Sequence, residues 1–165
     1  MKAIIAAVDF SPLSSQVVKV AAELARGRSG KIVLLTVLTE TYFAPEFSPP
    51  GGSATPLASD HEQTVRSRLT AIQQRLAATG VPAEILVRRG NPAGHILEES
   101  QEHDAAYIIV GSHGHSALFD LVLGSTSQSV LNRAKMPVVV VPFPMRRSRR
   151  SEDRAGQAEP KEATL

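Results

Sequence analysis

The stretch that decides the fold is Ala105-Ala-Tyr-Ile-Ile-Val-Gly-Ser-His-Gly-His115, followed further along by Gly124-Ser-Thr-Ser-Gln-Ser-Val-Leu131. An apolar run, typical of a buried strand, ends in a turn that contains Gly111 and Gly114. The second segment begins a helix with hydroxyl side chains in its first turn. Glycines let a backbone approach a ligand closely, and a helix N-terminus offers unpaired N–H groups to a phosphate. Together the two segments predict a nucleotide site.

Apolar runs that suit buried strands alternate along the chain with patterns that suit helices. We predict strands at Ala3–Val8, Ile32–Val37, Ala83–Val87, Ala106–Val110 and Val138–Val141. We predict helices that begin near Pro12 with Ser11 as the cap, cover residues 60–79, cover Pro92–Gln101 after Asn91, and cover Ser125–Arg133. Because the strands are apolar on both faces, this order predicts an α/β fold. We expect an open five-stranded parallel sheet with helices on both faces, similar to a Rossmann fold.

The fold class also predicts where a ligand binds. In open parallel sheets, ligands bind beyond the carboxyl ends of the strands, at the point where the strand order reverses. If the first and fourth strands flank that point, Asp9 and the turn 111–114 face each other across it. The predicted phosphate turn then lies where this architecture can use it.

Composition excludes several classes of function. The 165 residues contain no cysteine, which excludes disulfides, thiolate zinc sites and a cysteine nucleophile. The N-terminal apolar run stops at Asp9 and is too short for a signal peptide or a membrane span, so we expect a cytoplasmic protein. Residues 1–144 balance 12 basic against 12 acidic side chains, and the surplus of positive charge lies after them. Without a basic face that carries stacking aromatics, binding of nucleic acid is not expected.

Two segments are expected to lie outside the core of a single domain, residues 1–144. Residues 39–59 form a long loop rich in proline and glycine, which is either a lid or interface segment or a partly disordered connection. Residues 145–165 form a basic tail with few apolar side chains, and we expect it to be disordered. The Arg146–Arg150 cluster could bind an acidic partner, although a solvated tail is the simpler interpretation.

The glycine spacing resembles that of a known family. Gly111-x2-Gly114-x9-Gly124-Ser125, together with Val8-Asp9-Phe10-Ser11 after the first strand, is similar to the universal stress protein family and to its ATP-binding branch. The resemblance extends over about residues 1–142, including the closing strand Met136–Pro142. It implies an adenine nucleotide alpha hydrolase-like version of the fold and a regulatory, stress-response protein that binds ATP. It also implies a homodimer in which the edge strands Val138–Val141 meet.

The resemblance implies a role for each matching residue of the nucleotide site. Residues at the edge of the adenosine pocket would be Ala7, Val8 and Asp9, and Val37 would meet adenine through its backbone. Residues around the ribose and phosphates would be Val110, Gly111, His113 and Gly114. Residues that hold the phosphate chain would be Gly124, Ser125, Thr126 and Ser127. No lysine lies in this motif, so N–H groups, His113 or a bound Mg²⁺ must meet the phosphate charge.

Simpler structural interpretations exist for the same residues. Gly111 and Gly114 could form a plain strand-to-helix turn, although the later Gly124-Ser125 element argues against this. Asp9 could act as a helix cap instead of binding a ribose hydroxyl or the adenine amine. His113 and His115 could form a metal pair, but the sequence places no other ligand near them.

The sequence favours binding over catalysis. Walker A and G-x-G-x-x-G patterns are absent, and no general base can be placed beside a nucleophile. We therefore expect at most weak ATP hydrolysis. Two alternatives remain open: a slow ATPase or nucleotidyl-transfer enzyme on the same scaffold, and a nucleotide-free dimeric interaction module.

Overall fold

The computed structural model describes residues 1–39, 55–113 and 123–142, and of residues 55–59 it describes the backbone only. Its strands are β1 (Ala3–Ala7), β2 (Lys31–Leu38), β3 (Ala83–Arg89), β4 (Ala105–Gly111) and β5 (Val138–Val141). Its helices are α1 (Ser14–Arg28), α2 (Thr55–Ala78), α3 (Pro92–Glu102) and α4 (Ser125–Arg133). Strands and helices alternate without exception through the described part of the chain.

The five strands form one parallel sheet in the order β3-β2-β1-β4-β5. The chain moves outward from β1 to β3 and then returns to add β4 on the other side of β1. The strand order therefore reverses between the neighbouring strands β1 and β4. Asp9 follows the end of β1, and Gly111 is the last residue of β4. This confirms the predicted α/β fold and places the carboxyl ends of β1 and β4 where such sheets bind ligands.

The helices cover the sheet in two layers. Helices α1 and α2 pack on one face, around buried residues such as Ile4, Leu34 and Leu69. Helices α3 and α4 pack on the other face, around Ile5 and Ile108. Strands buried on both sides explain the continuous apolar runs of the sequence, because each alternate side chain meets a different helix layer.

Most predicted bounds agree with the structure, and α2 differs most. It begins at Thr55, so residues 55–59 are helical and not part of the loop predicted for 39–59. The rest of that loop, residues 40–54, lies outside the described residues, as does the tail after residue 142 with Arg146–Arg150. A proline fits the first turn of a helix, and Pro56 occupies that position here. The prediction erred because proline and glycine dominate the sequence just before it.

Strand β5 lies at one edge of the sheet, as predicted, and β3 lies at the other. The Pro137 and Val141 carbonyls accept hydrogen bonds from the Ile108 and Ser112 N–H groups of the neighbouring segment. Backbone groups alternate along a strand, so those of Val138 and Val140 point away from the sheet. Among the described helices, none has the length and apolar character needed to cross a membrane.

Candidate functional site

Several of the predicted site residues lie at the carboxyl edge of the sheet. Residues of β1 and β2 are buried along most of each strand, but Ala7 and Val37 are partly exposed near the strand ends. Both side chains lie on the α3–α4 face of the sheet, as does the buried Val110 of β4. Gly111, the last residue of β4, is also partly exposed. The structure therefore brings together four of the predicted site residues at the carboxyl ends of β2, β1 and β4.

The Asp9 carboxylate organises the turn after β1. Its Oδ1 accepts a hydrogen bond from the Ser11 N–H at 2.9 Å and another from the Ser14 hydroxyl at 2.8 Å. The predicted cap was wrong: α1 begins at Ser14 with Leu13 as its N-cap, and Leu13 contributes no side-chain bond. Asp9 instead reaches five residues ahead to hold the first turn. Asp9 accepts no backbone N–H of α1, so it fixes the turn before the helix and is not its cap. Its exposed position is compatible with a ligand contact as well.

The backbone after β1 is fixed by further contacts. Phe10 has a φ of 61°, in the left-handed region that bulky residues rarely adopt. The Thr36 hydroxyl donates a 2.7 Å hydrogen bond to the Val8 carbonyl, and the Val8 N–H donates to the Leu35 carbonyl. These bonds extend the β1–β2 contact past the last strand residue. They position Val8 and Asp9 firmly, although Val8 itself is buried on the α1–α2 side.

Gly111 is closely packed at the end of β4. A Cβ at this position would lie 3.2 Å from the Leu13 Cδ1 and 3.2 Å from the His113 carbonyl oxygen. The Ser127 hydroxyl donates a 2.7 Å hydrogen bond to the Gly111 carbonyl. Ser127 is buried, so its hydroxyl joins α4 to β4 and does not point into solvent. Sequence reasoning did not anticipate this use of Gly111 and Ser127.

The start of α4 presents donors toward the carboxyl edge of the sheet. Gly124 is its N-cap and provides no side-chain cap, while the Gly124 N–H donates to the Ser112 carbonyl at 2.8 Å. The helical hydrogen bonds begin with the Gln128 N–H, which donates to the Gly124 carbonyl. The N–H groups of the first three helical residues therefore have no acceptor within the helix. Ser125 is exposed and Thr126 partly exposed, as expected for residues that contact a ligand.

His113 lies in the glycine turn and is the last described residue before Gly114. Its Nδ1 lies 3.0 Å from the Ser112 hydroxyl, and its side chain is partly exposed. The Ser112 N–H donates to the Val141 carbonyl, which anchors this segment to the edge strand. Gly114 and His115 lie outside the described residues. Among the residues that the structure describes, no three or more His, Asp or Glu side chains form a group that could hold a metal ion.

An ion-pair network lies at the carboxyl end of β3. Arg89, the last residue of this strand, donates to Glu62 of α2 at 2.6 Å, and Arg66 donates to the same carboxylate at 3.0 Å. The hydrogen bonds from Arg89 and then Arg66 hold the pKa of Glu62 below its usual value. The network ties α2 to the sheet and keeps Glu62 ionised at neutral pH. None of its members was among the predicted site residues.

Comparison with protein families gives a match across almost the whole described chain. The model of the universal stress protein family matches residues 1–142. Universal stress protein A homolog 1 of Coxiella burnetii is 31% identical over 145 residues, which cover 85% of this chain and 95% of that protein. The universal stress protein YxiE of Bacillus subtilis is 27% identical over 140 residues, covering 82% of this chain and 95% of that protein.

Solved structures share the fold. The universal stress protein UspA from Lactobacillus plantarum matches with a TM-score of 0.72 at 19% identity, covering 85% of this chain and 97% of that one. A universal stress protein from Archaeoglobus fulgidus, solved in complex with dAMP, matches with a TM-score of 0.62 at 23% identity, covering 86% and 97%. A further one, solved in complex with cAMP, matches with a TM-score of 0.63 at 21% identity, covering 86% and 96%.

Proposed function

This chain belongs to the universal stress protein family, and we propose that it binds ATP in the opening between the carboxyl ends of β1 and β4. The observation that carries the proposal is the partial exposure of Ala7, Val37 and Gly111 beside the open start of α4. An apolar floor next to a row of N–H donors suits a ligand with a flat base at one end and phosphates at the other. Two structures with the same fold are complexes with adenine nucleotides, which supports this ligand class.

The adenosine end of the ligand would lie over β1 and β2. Ala7 and Val37 offer partly exposed apolar surface, and the backbone near the end of β2 can recognise the edge of the base. Asp9 is exposed after β1, where its carboxylate can accept a hydrogen bond from a ribose hydroxyl. In this proposal Asp9 both contacts the ligand and holds the turn before α1.

The phosphates would lie at the start of α4. The N–H groups of Ser125 and Thr126 and the positive end of the helix dipole favour an anion there. The exposed Ser125 hydroxyl and the Thr126 hydroxyl can donate to phosphate oxygens, whereas the Ser127 hydroxyl donates to the Gly111 carbonyl. His113 and a Mg²⁺ ion carried by the ATP would supply positive charge that the motif lacks. Because the Ser127 hydroxyl is already bonded to the Gly111 carbonyl, we assign Ser127 the role of joining α4 to β4 and not of contacting the phosphates.

We further propose that binding and not turnover is the function. The groups assigned to the site are backbone donors, small hydroxyls and one carboxylate that already holds the turn before α1. Fast phosphoryl transfer needs a cationic group and a positioned base on the reacting phosphate. The site offers recognition of ATP, and its bound state would serve as the regulatory signal of a stress-response protein.

Mass spectrometry of the nucleotide released from freshly purified protein tests the proposal most simply. We expect an adenine nucleotide in an amount close to one per chain. Addition of MgATP to the stripped protein should raise its melting temperature, because a ligand bound only by the native state stabilises that state. MgGTP is the matched control, with the same phosphates on a different base. Protein that carries no nucleotide and shows no shift with MgATP would favour the nucleotide-free interaction module.

A further inference from the structure

We propose that the groove between α1 and α2 binds an acidic amphipathic helix of a partner protein. This groove is defined by residues from Phe10 to Arg26 on one side and from Arg68 to Thr79 on the other, and its volume is about 550 Å³. It lies on the helix layer opposite α3 and α4, so the proposal goes beyond nucleotide binding. None of the residues that line it is assigned to the proposed ATP site.

The groove exists because the two helix layers are packed differently. Helix α3 packs directly on α4, whereas α1 and α2 pack mainly on the strands beneath them. The floor of the resulting groove is apolar and includes Val18 and Ala22 of α1 and Ile72 and Leu76 of α2. Ala22 and Leu76 are buried, while Val18 and Ile72 stay partly exposed. Apolar side chains of a partner can therefore be buried against Val18 and Ile72.

The rim of the groove is basic. Lys19 and Arg26 of α1 and Arg68 and Arg75 of α2 line it, against a single carboxylate, Glu23. Among the residues that the structure describes, no carboxylate forms an ion pair with any of these four cations. A cluster of like charges repels itself, so an acidic ligand that neutralises it binds favourably.

Two contacts hold the ends of the groove. The Arg68 guanidinium lies 4.1 Å from the centre of the Phe10 ring, which the left-handed turn places there. At the other end, Arg26 donates a 3.1 Å hydrogen bond to the Thr79 hydroxyl. Both arginines are thus positioned before a ligand arrives, which lowers the ordering cost of binding. Arg75 and Lys19 lie between these ends along the rim.

The dimensions favour a helix as the occupant. Ser14 and Arg26 are twelve residues apart on α1, which corresponds to about 18 Å along the groove. A partner helix of similar length presents apolar side chains at i, i+3, i+4 and i+7 to the floor. Its acidic side chains on both flanks then meet the cations of the rim. A small molecule would cover only part of so long a groove.

The test uses the full-length chain and a fluorescein-labelled helical peptide of about 14 residues, with leucines at i, i+3, i+4 and i+7 and glutamates elsewhere. We expect saturable binding by fluorescence polarisation that weakens as salt rises. The variant Arg68→Glu with Arg75→Glu should raise the dissociation constant at least about tenfold. The matched variant Arg133→Glu with Lys135→Glu, two exposed residues on the other side of the sheet, should leave it unchanged.

Three results would overturn the proposal. A scrambled peptide of the same composition that binds equally well would reduce the effect to general charge attraction. Equal weakening by the two charge-reversed variants would place the contact elsewhere. Binding to vesicles of anionic phospholipid that depends on Arg68 and Arg75, without binding of the peptide, would indicate a membrane surface as the ligand. Melting curves of both variants, expected to match the parent within a few degrees, exclude unfolding as the cause.

Discussion

The Ser14 hydroxyl donates a 2.8 Å hydrogen bond to the Asp9 carboxylate and so connects the end of β1 with the first turn of α1. The same oxygen accepts the Ser11 N–H at 2.9 Å, which closes the turn between them. The N-cap Leu13 offers no hydrogen-bonding side chain, so Asp9 joins β1 to α1 through the Ser14 side chain and not by capping the helix backbone. A residue that the family resemblance assigns to the nucleotide is thereby also a structural residue.

The shared bond predicts coupled losses of stability. Asp9→Ala and Ser14→Ala should each lower the free energy of unfolding by about 1 kcal/mol, as measured by urea denaturation. The double variant should lose less than the sum, because each single change already removes the Asp9–Ser14 bond. Strict additivity would contradict this geometry. Ser15→Ala is the control: its hydroxyl is exposed and makes only a long 3.4 Å bond to the Pro12 carbonyl.

Gly111 should not tolerate even alanine. The added methyl group would press on Leu13 and on the His113 carbonyl at 3.2 Å, and we expect a loss of about 1–3 kcal/mol. Truncation of Leu13 in the Gly111→Ala background should cost less than it does in the parent protein. Gly27→Ala provides the matched control in α1, since nothing beyond its chain neighbours and the helix's own backbone lies within 4 Å of the added Cβ. That change should stabilise the protein by about 0.5–1 kcal/mol.

The two serines at the start of α4 should respond differently to alanine. Ser125→Ala removes an exposed hydroxyl, so it should weaken ATP binding several-fold and leave the melting temperature unchanged. Ser127→Ala removes the 2.7 Å bond to the Gly111 carbonyl and should lower stability by about 1–2 kcal/mol. Calorimetric titration and urea denaturation of both variants separate the effects. A large loss of stability in Ser125→Ala would contradict the assignment.

The homodimer that the family resemblance implies can be tested through the outward-facing backbone of β5. Val140→Pro removes an N–H group that points away from the sheet, so it should block pairing of edge strands while the monomer stays folded. Light scattering should show a dimer for the parent and a monomer for this variant. Val139→Pro, one residue earlier, removes an N–H group directed at β4 and should instead lower stability. A parent protein of monomeric mass at micromolar concentration would exclude the dimer.

The ion pairs of Glu62 predict a dependence of stability on pH. Because Arg89 and Arg66 hold the pKa of Glu62 below its usual value in the folded state, the ionised form stabilises the fold. This contribution is complete above the ordinary glutamate pKa and is lost as pH falls through the lowered value. Glu62→Gln should therefore cost about 0.5–1 kcal/mol at pH 7 and almost nothing below the lowered pKa. Parallel denaturation curves from pH 7 to acid check the convergence.

The sequence predicts the strands and helices well where their signals are local. Helix α3 begins after Asn91 as expected, and the bounds of α4 and β5 agree with the structure. Asn91 also caps α3, with the Gly94 N–H donating to its side chain. Two features were not predictable from local patterns. The Asp9–Ser14 bond spans five residues of an irregular turn, and the Ser127–Gly111 bond joins segments brought together only by the sheet.

The glycine motif, too, could be predicted from the sequence only in part. Its spacing predicts that the end of β4, the turn and the start of α4 lie at one edge of the sheet, because parallel strands that alternate with helices have their carboxyl ends at the same edge. It does not reveal that Gly111 is needed to fit Leu13, or that one of the hydroxyls near α4 is already used within the fold. Only three-dimensional packing separates the residues that hold the site together from those that face a ligand.

Titration calorimetry of MgATP tests the central claim most directly, with the nucleotide-free parent chain compared with its Gly114→Val variant. The family resemblance places Gly114 against the ribose and phosphates, where a branched side chain would block the ligand. We predict one ATP bound per chain for the parent and a loss of binding in a Gly114→Val protein whose circular dichroism and melting temperature match the parent. Absence of binding in the parent, or equal affinity in the folded variant, would contradict the account.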